Sequence, residues 1–368
     1  MRHLNATRSV PAGLIAAGLL LSSVPAAAAG DGPDIRSAGP LAFSPDGVLF
    51  VGDPKQAKVF AIESDDFQTT GGAAIEIDGV AGKLAAMLGT TAEDVAINDM
   101  AVNPATGTVC LSVSRGRGPD AVPVLMTVTA GGELAEMNLE NAKFSGVTLP
   151  NPPEDKMQGE GRRRRNSRME AITDLTFLDG RLYIAGLSNE DFASNLRSVA
   201  YPFEAVEDGT SIEIFHGAHG KYETRSPVRT FTTFQIDEEP HLLAAYTCTP
   251  LVKIPVSELM EPGDLEKVRG TTVAELGNRN RPLDMIVYDK DGEDFVLMAN
   301  SSRGLMKVST EGIADIEGIT ERISGTAGLP YETLDVQGVT QLDRLDKDRV
   351  VLLIEDETTS KLTTMDLP

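Results

Sequence analysis

The chain has 368 residues, with 55 Asp and Glu against 33 Lys and Arg, a formal charge of −22 and a pI near 4.6. A hydrophobic content of 41% excludes global disorder, and the acidic balance sets the body of the fold against phosphate backbones, so no nucleic-acid partner is expected. Two cysteines exclude a disulfide scaffold and thiolate metal clusters, and the absence of Trp excludes WD-type repeats.

Residues 1–29 read as an address. Arg2 and Arg8 give a positive start, AGLIAAGLLL from Ala12 is apolar, and SSVPAAAAG follows. This is the pattern of a cleavable secretory signal, with cleavage near Ala29. The apolar run is about half the roughly 20 residues that a spanning helix needs. No later run reaches that length. The expectation is a secreted or periplasmic protein with no membrane span after cleavage, and with residues 30–368 as one domain.

From Pro40 onward a unit recurs. Its leading strand reads PLAF at Pro40, DMAV at Asp99, DLTF at Asp174, TFTT at Thr230, DMIV at Asp284 and GVTQ at Gly338. After each comes a turn rich in Gly, Asp or Pro (SPDG, NPATG, LDG, QIDEEP, DKDG, LDKD), then an apolar strand. Turn residues between short β-rich runs are hairpin signals. The clearest internal match pairs HLLAAYTCTPLVKI from His241 with FVLMANSSRGLMKV from Phe295, at an offset of 54 residues. Six units of this period predict an all-β fold, a six-bladed β-propeller, in which a closed ring buries blade faces that no blade buries alone. Two insertions interrupt the period. KLAAML before Gly89 predicts a short helix between the first two blades, and Thr91 to Asp94 resembles a capping box. The stretch 150–168, PNPPEDKMQGEGRRRRNSR, predicts a mobile Pro/Arg-rich loop with an arginine cluster able to meet an anion.

SPDGVLFVGD followed by KVFAIE resembles the six-bladed superfamily of NHL-repeat and SMP-30 (gluconolactonase)-like proteins. The resemblance is sharp over Phe43 to Glu63 and is one of fold. It implies a ligand site at one mouth of the central channel. In the SMP-30 group that site holds a divalent cation used for lactone or ester hydrolysis.

In such a ring the starts of the inner strands and the turns between second and third strands converge on one mouth. This groups Asn98, Asp99, Arg115, Asp174, Asn189, Arg229, Arg281, Asp284, Asn300 and Arg303 as candidate ligand contacts for a small-molecule or protein partner. Asp99, Asp174 and Asp284 hold equivalent inner positions, and carboxylates brought together resist joint ionisation. Ca2+ or Mg2+ would relieve this. Equally, an inner Asp can cap the backbone N–H groups of the neighbouring blade. His216, His219 and Cys248 form a second candidate set, for copper or zinc, and His219 is a candidate general base beside a cation. Cys110, inside an apolar strand, reads as a buried hydrophobe, with no disulfide to Cys248 expected. No nucleotide, haem or flavin motif occurs. Three functional readings stand: a binding propeller, a cation-dependent hydrolase or lactonase, and a transition-metal protein.

Overall fold

The computed structural model describes residues 32–368, apart from 65–66, 68–72, 130, 162–163, 207, 248–249, 261–266 and 357–358. The expected signal segment, Cys248 and two residues of the arginine cluster, Arg162 and Arg163, lie outside the described residues.

Hairpins form where the turn chemistry asks for them. Asp179–Gly180 and Asp291–Gly292 have positive φ at both positions (48° and 75°, 57° and 86°). This is the primed turn whose twist matches that of its flanking strands. Asp237–Glu238 adopts the same geometry without glycine. These hairpins build six sheets arranged as the six blades of a propeller, antiparallel except where Val268–Arg269 pairs in parallel with Thr210–His216 of blade 3.

Blade 1 comprises Leu41–Phe43, Leu49–Asp53, Lys58–Glu63 and an outer strand Lys143–Thr148. Blade 2 runs from Val95–Val102 through Val109–Arg115 and Val122–Val128 to Leu134–Glu136. The inner strands of blades 3 to 6 are Asp174–Leu178, Val228–Ile236, Pro282–Lys290 and Val339–Arg344. The outermost strand of blade 6 is Glu76–Asp78, from the segment between blades 1 and 2.

The blades do not follow one another around the ring in chain order. Blade 2 packs between blades 6 and 1, so the ring runs 1, 3, 4, 5, 6, 2. After three strands of blade 1 the chain crosses to the edge of blade 6, turns through helix α1 (Val80–Leu88) and lays down blade 2. It then returns to finish blade 1. The apolar clusters follow the same order. One joins Ile77, Leu84 and Leu88 to blade 2 (Val109, Leu111) and blade 6 (Val351, Leu362), while another joins Leu49 and Phe60 of blade 1 to Cys110 and Leu125 of blade 2. Cys110 is fully buried in the latter, and blades 2 and 4 face each other across the ring.

The helix ends at Gly89, with φ of 65°, as its sequence asks. Thr91 caps no backbone N–H through its side chain. Its hydroxyl lies 3.1 Å from the Asp94 carboxylate at the head of the 3-10 turn Ala92–Asp94. The insertion 150–168, expected as a loop, contains a small hairpin pairing Met157–Gln158 with Arg165–Asn166. Arg168 anchors it by donating to the carbonyls of Pro153 (2.5 Å) and Lys55 (3.3 Å). Among the described residues no helix is long and apolar enough to cross a membrane.

Candidate functional site

The central channel has two cavities, of about 480 and 400 Å³. The upper one lies where the inner strands begin and is lined by Asn98, Glu170, Arg229, Arg281 and Gln341 among others. The lower one lies where they end, beside Phe43, Pro104, Phe177, Arg344 and Lys347. Asp99, Asp174 and Asp284 line both, so the waist of the channel is a ring of three carboxylates. Asp343 adds a fourth at the lower cavity.

Each ring aspartate is held by two blades. Asp174 accepts from its own following N–H, Leu175 (2.8 Å), and from Phe231 of blade 4 (2.8 Å). Asp284 accepts likewise from Met285 (2.7 Å) and Leu342 of blade 6 (2.7 Å). Asp99 accepts from Leu41 of blade 1 (2.6 Å) and from Met100. Asp343 repeats the device one layer deeper, on Arg344 and Val102 of blade 2 (2.7 Å each). Every link runs the same way around the ring: 2 to 1, 3 to 4, 5 to 6, 6 to 2. In ring order the three waist aspartates stand on every second blade, a regularity hidden in chain order. Just before Asp99 and Asp284 the pairing register slips by one residue, and such bulges re-aim a side chain at a strand end.

All four carboxylates are half-buried. Desolvation raises them first, and their mutual repulsion adds to it at Asp99 and Asp284, which stand well above the usual carboxylate range. Asp174 is pushed up to about 7 and Asp343 to about 6, the backbone N–H donors opposing the rise in each. The waist therefore favours a proton or another positive charge.

Of the other candidate contacts, Asn98, Arg229 and Arg281 line the upper cavity. Arg229 is paired with Glu170 (2.9 Å) and Thr247 (2.8 Å), whereas the Arg281 side chain is exposed. Arg115, Asn189, Asn300 and Arg303 line neither cavity. Arg115 reaches the Leu88 carbonyl that ends the helix, and the Asn189 N–H donates to the Asn151 carbonyl. Asn300 is buried against Asn280 (2.9 Å), and Arg303 donates to the Tyr331 hydroxyl (3.2 Å).

His216 and His219 lie away from the channel, on the outer hairpin of blade 3 formed by Thr210–His216 and Lys221–Glu223. The general-base role considered for His219 beside the aspartates has no support in this position. Both imidazoles instead meet Glu223. The Nδ1 of His216 is 2.9 Å from its Oε2, and the Nδ1 of His219 is 2.8 Å from its Oε1. Burial raises the Glu223 carboxyl, but these two contacts outweigh it and leave it below its ordinary value.

Asp343, Glu170 and Glu223 were not singled out from the sequence. Asp343 lies deeper in its strand than the repeat position, and Glu223 is seven residues from His216, a spacing that has meaning only once the hairpin is folded.

No family model and no curated protein matches the chain. Among solved structures it is similar to a chain of the mitotic checkpoint complex, at 10% identity and a TM-score of 0.39, covering 100% of this chain and 99% of that one. It is also similar to the PQQ-bound aldose sugar dehydrogenase of Streptomyces coelicolor, at 13% identity and 0.29, covering 94% and 98%. A third is the extracellular region of plexin A4, at 9% identity and 0.43, covering 94% of this chain and 40% of that one. Likenesses this distant assign neither a ligand nor a reaction.

Proposed function

We propose that the protein is a binding propeller that takes up a small polar ligand through a positively charged group, received by the ring of Asp99, Asp174 and Asp284. The observation that carries this reading is the shared lining: three carboxylates on alternate blades border both channel cavities. Cavities of 400 and 480 Å³ fall within the range of about 300–1,000 Å³ usual for small-molecule sites. The N–H contacts use part of each carboxylate's accepting capacity, since two oxygens offer about four lone-pair sites. A primary ammonium has three donors, matching three acceptors spaced around an axis. Because two blades fix each carboxylate, the ring resists contracting around a small bare ion. Asn98, Arg281 and Gln341 are available to the polar remainder of the ligand.

The test is a thermal-shift series at pH 8 with short primary amines, their neutral alcohol counterparts, Ca2+ and Mg2+. The amines raise Tm, the alcohols do not, and Asp174→Asn abolishes the response. Absence of any shift with every cation overturns the reading. A shift with Ca2+ or Mg2+ alone, accompanied by turnover of a simple ester or lactone, replaces it with the metal-dependent hydrolase.

A further inference from the structure

The rim hairpin of blade 3 carries a donor set of a different chemical kind from the channel. We propose that His216, His219 and Glu223 bind one first-row divalent transition-metal ion, zinc or copper(II), at the outer edge of the propeller where blade 3 meets blade 4. Among the described residues these three place a ligand atom each within 4.8 Å of the others. A tetrahedral ion with bonds of about 2.0–2.1 Å separates its ligand atoms by roughly 3.3 Å. The Nδ1 to carboxylate distances of 2.8 and 2.9 Å need to open by only about half an ångström to admit one. Two imidazoles and one carboxylate suit zinc and copper, whereas calcium and magnesium prefer all-oxygen sets. The third donor is thus Glu223, where the sequence had suggested Cys248.

The hairpin is set before any ion arrives. The N–H groups of His219 (3.1 Å) and Gly220 (2.8 Å) donate to the His216 carbonyl and close the turn. Blade 4 clamps it from outside: the Glu275 carboxylate accepts from the Gly217 N–H, and the Thr272 hydroxyl donates to the Phe215 carbonyl (2.7 Å). A Cβ on Gly217 would lie 2.7 Å from Glu275 Oε1, which explains a glycine inside the H-G-A-H spacing.

Burial sets the two imidazoles apart. His216 is 2% exposed, so packing fixes its ring beside Glu223. His219, by contrast, is 49% exposed, so the site opens to solvent on one side, which gives an entry path and leaves a coordination position for water. Lys221, 3.4 Å from Glu223 and 66% exposed, is free to swing into solvent when an ion takes its place.

The experiment is calorimetric titration of the purified, tag-free, chelator-stripped protein with Zn2+ and, separately, Cu2+. Wild type takes up one equivalent. His219→Ala and Glu223→Gln each weaken binding at least about tenfold, the lower bound seen even for groups that only support a metal ligand. His241→Gln, a histidine of blade 4, binds as wild type. Electron paramagnetic resonance of the Cu2+ form shows coupling to two imidazole nitrogens, reduced to one in His219→Ala. Absence of stoichiometric binding by the folded wild type, or unchanged affinity in both His219→Ala and Glu223→Gln, overturns the proposal. These variants leave the aspartate ring intact, so either result is independent of the channel reading.

Discussion

Blades 3 to 6 and the junction formed by blades 6, 2 and 1 are built from the same repeat yet assembled differently. In the arc from 3 to 6, neighbours in the chain are neighbours in space, and the strands that cross between blades, Val268–Arg269 and Thr326–Gly328, reach back only to the blade just before their own. At the junction the connections cross: blade 2 sits between two blades that are remote from each other in the chain, and strands Glu76–Asp78 and Lys143–Thr148 tie it in by completing blades 6 and 1. The aspartate links ignore this difference. Asp99 joins blade 2 to blade 1 against the chain direction, and Asp174 joins blade 3 to blade 4 along it, with the same geometry. The link therefore answers to the shape of the ring and not to the path of the chain.

Removing an aspartate is the sharpest way to probe this. Asp99→Ala strands the N–H groups of Leu41 and Met100, at about 1–3 kcal/mol each, for an expected loss on the order of 2–6 kcal/mol by denaturant unfolding. If ring geometry alone decides, Asp174→Ala costs the same; a markedly larger loss at Asp99 would show that the junction depends more on its link than the arc does. Leu84→Ala attacks the junction from its apolar side. Leu84 is fully buried among residues of blades 6 and 2, and the expected cost is about 2–5 kcal/mol. Val296→Ala, at an equally buried position of blade 5, is the counterpart in the arc.

Gly217→Ala tests the contact between blades 3 and 4. The added methyl group meets Glu275, with an expected cost of about 1–3 kcal/mol. A neutral outcome would mean that the turn has room to move, and that the metal site is less preformed than its hydrogen bonds suggest.

The smallest effect is a pH dependence that spans both regions. Asp174, at about 7, and Asp343, at about 6, hold protons in the folded chain that an unfolded chain releases near pH 4. Their contribution is present below that pH and is lost as pH rises through 6 to 7. Thermal melts are expected to fall between pH 5 and 8, by about 2–4 °C for each kcal/mol lost. A cationic ligand at the ring reverses the fall. The Glu223 carboxyl, lowered, works in the opposite sense and at more acidic pH.

Much of the molecule was legible as sequence because its signals are local. Asp–Gly turns, alternating strands and the glycine that stops the helix each act within a few residues of themselves, so six repeating units and the inner positions of Asp99, Asp174 and Asp284 could be read directly. The order of the blades around the ring could not. Every blade presents Val, Ile and Leu to its neighbours, so apolar composition does not name the neighbour; only closure of the whole ring does. That closure turned three aspartates, irregularly spaced along the chain, into acceptors on alternate blades. Glu223 came between His216 and His219 by a shorter route, the pairing of Thr210–His216 with Lys221–Glu223, which spacing along the chain does not reveal until the hairpin is folded.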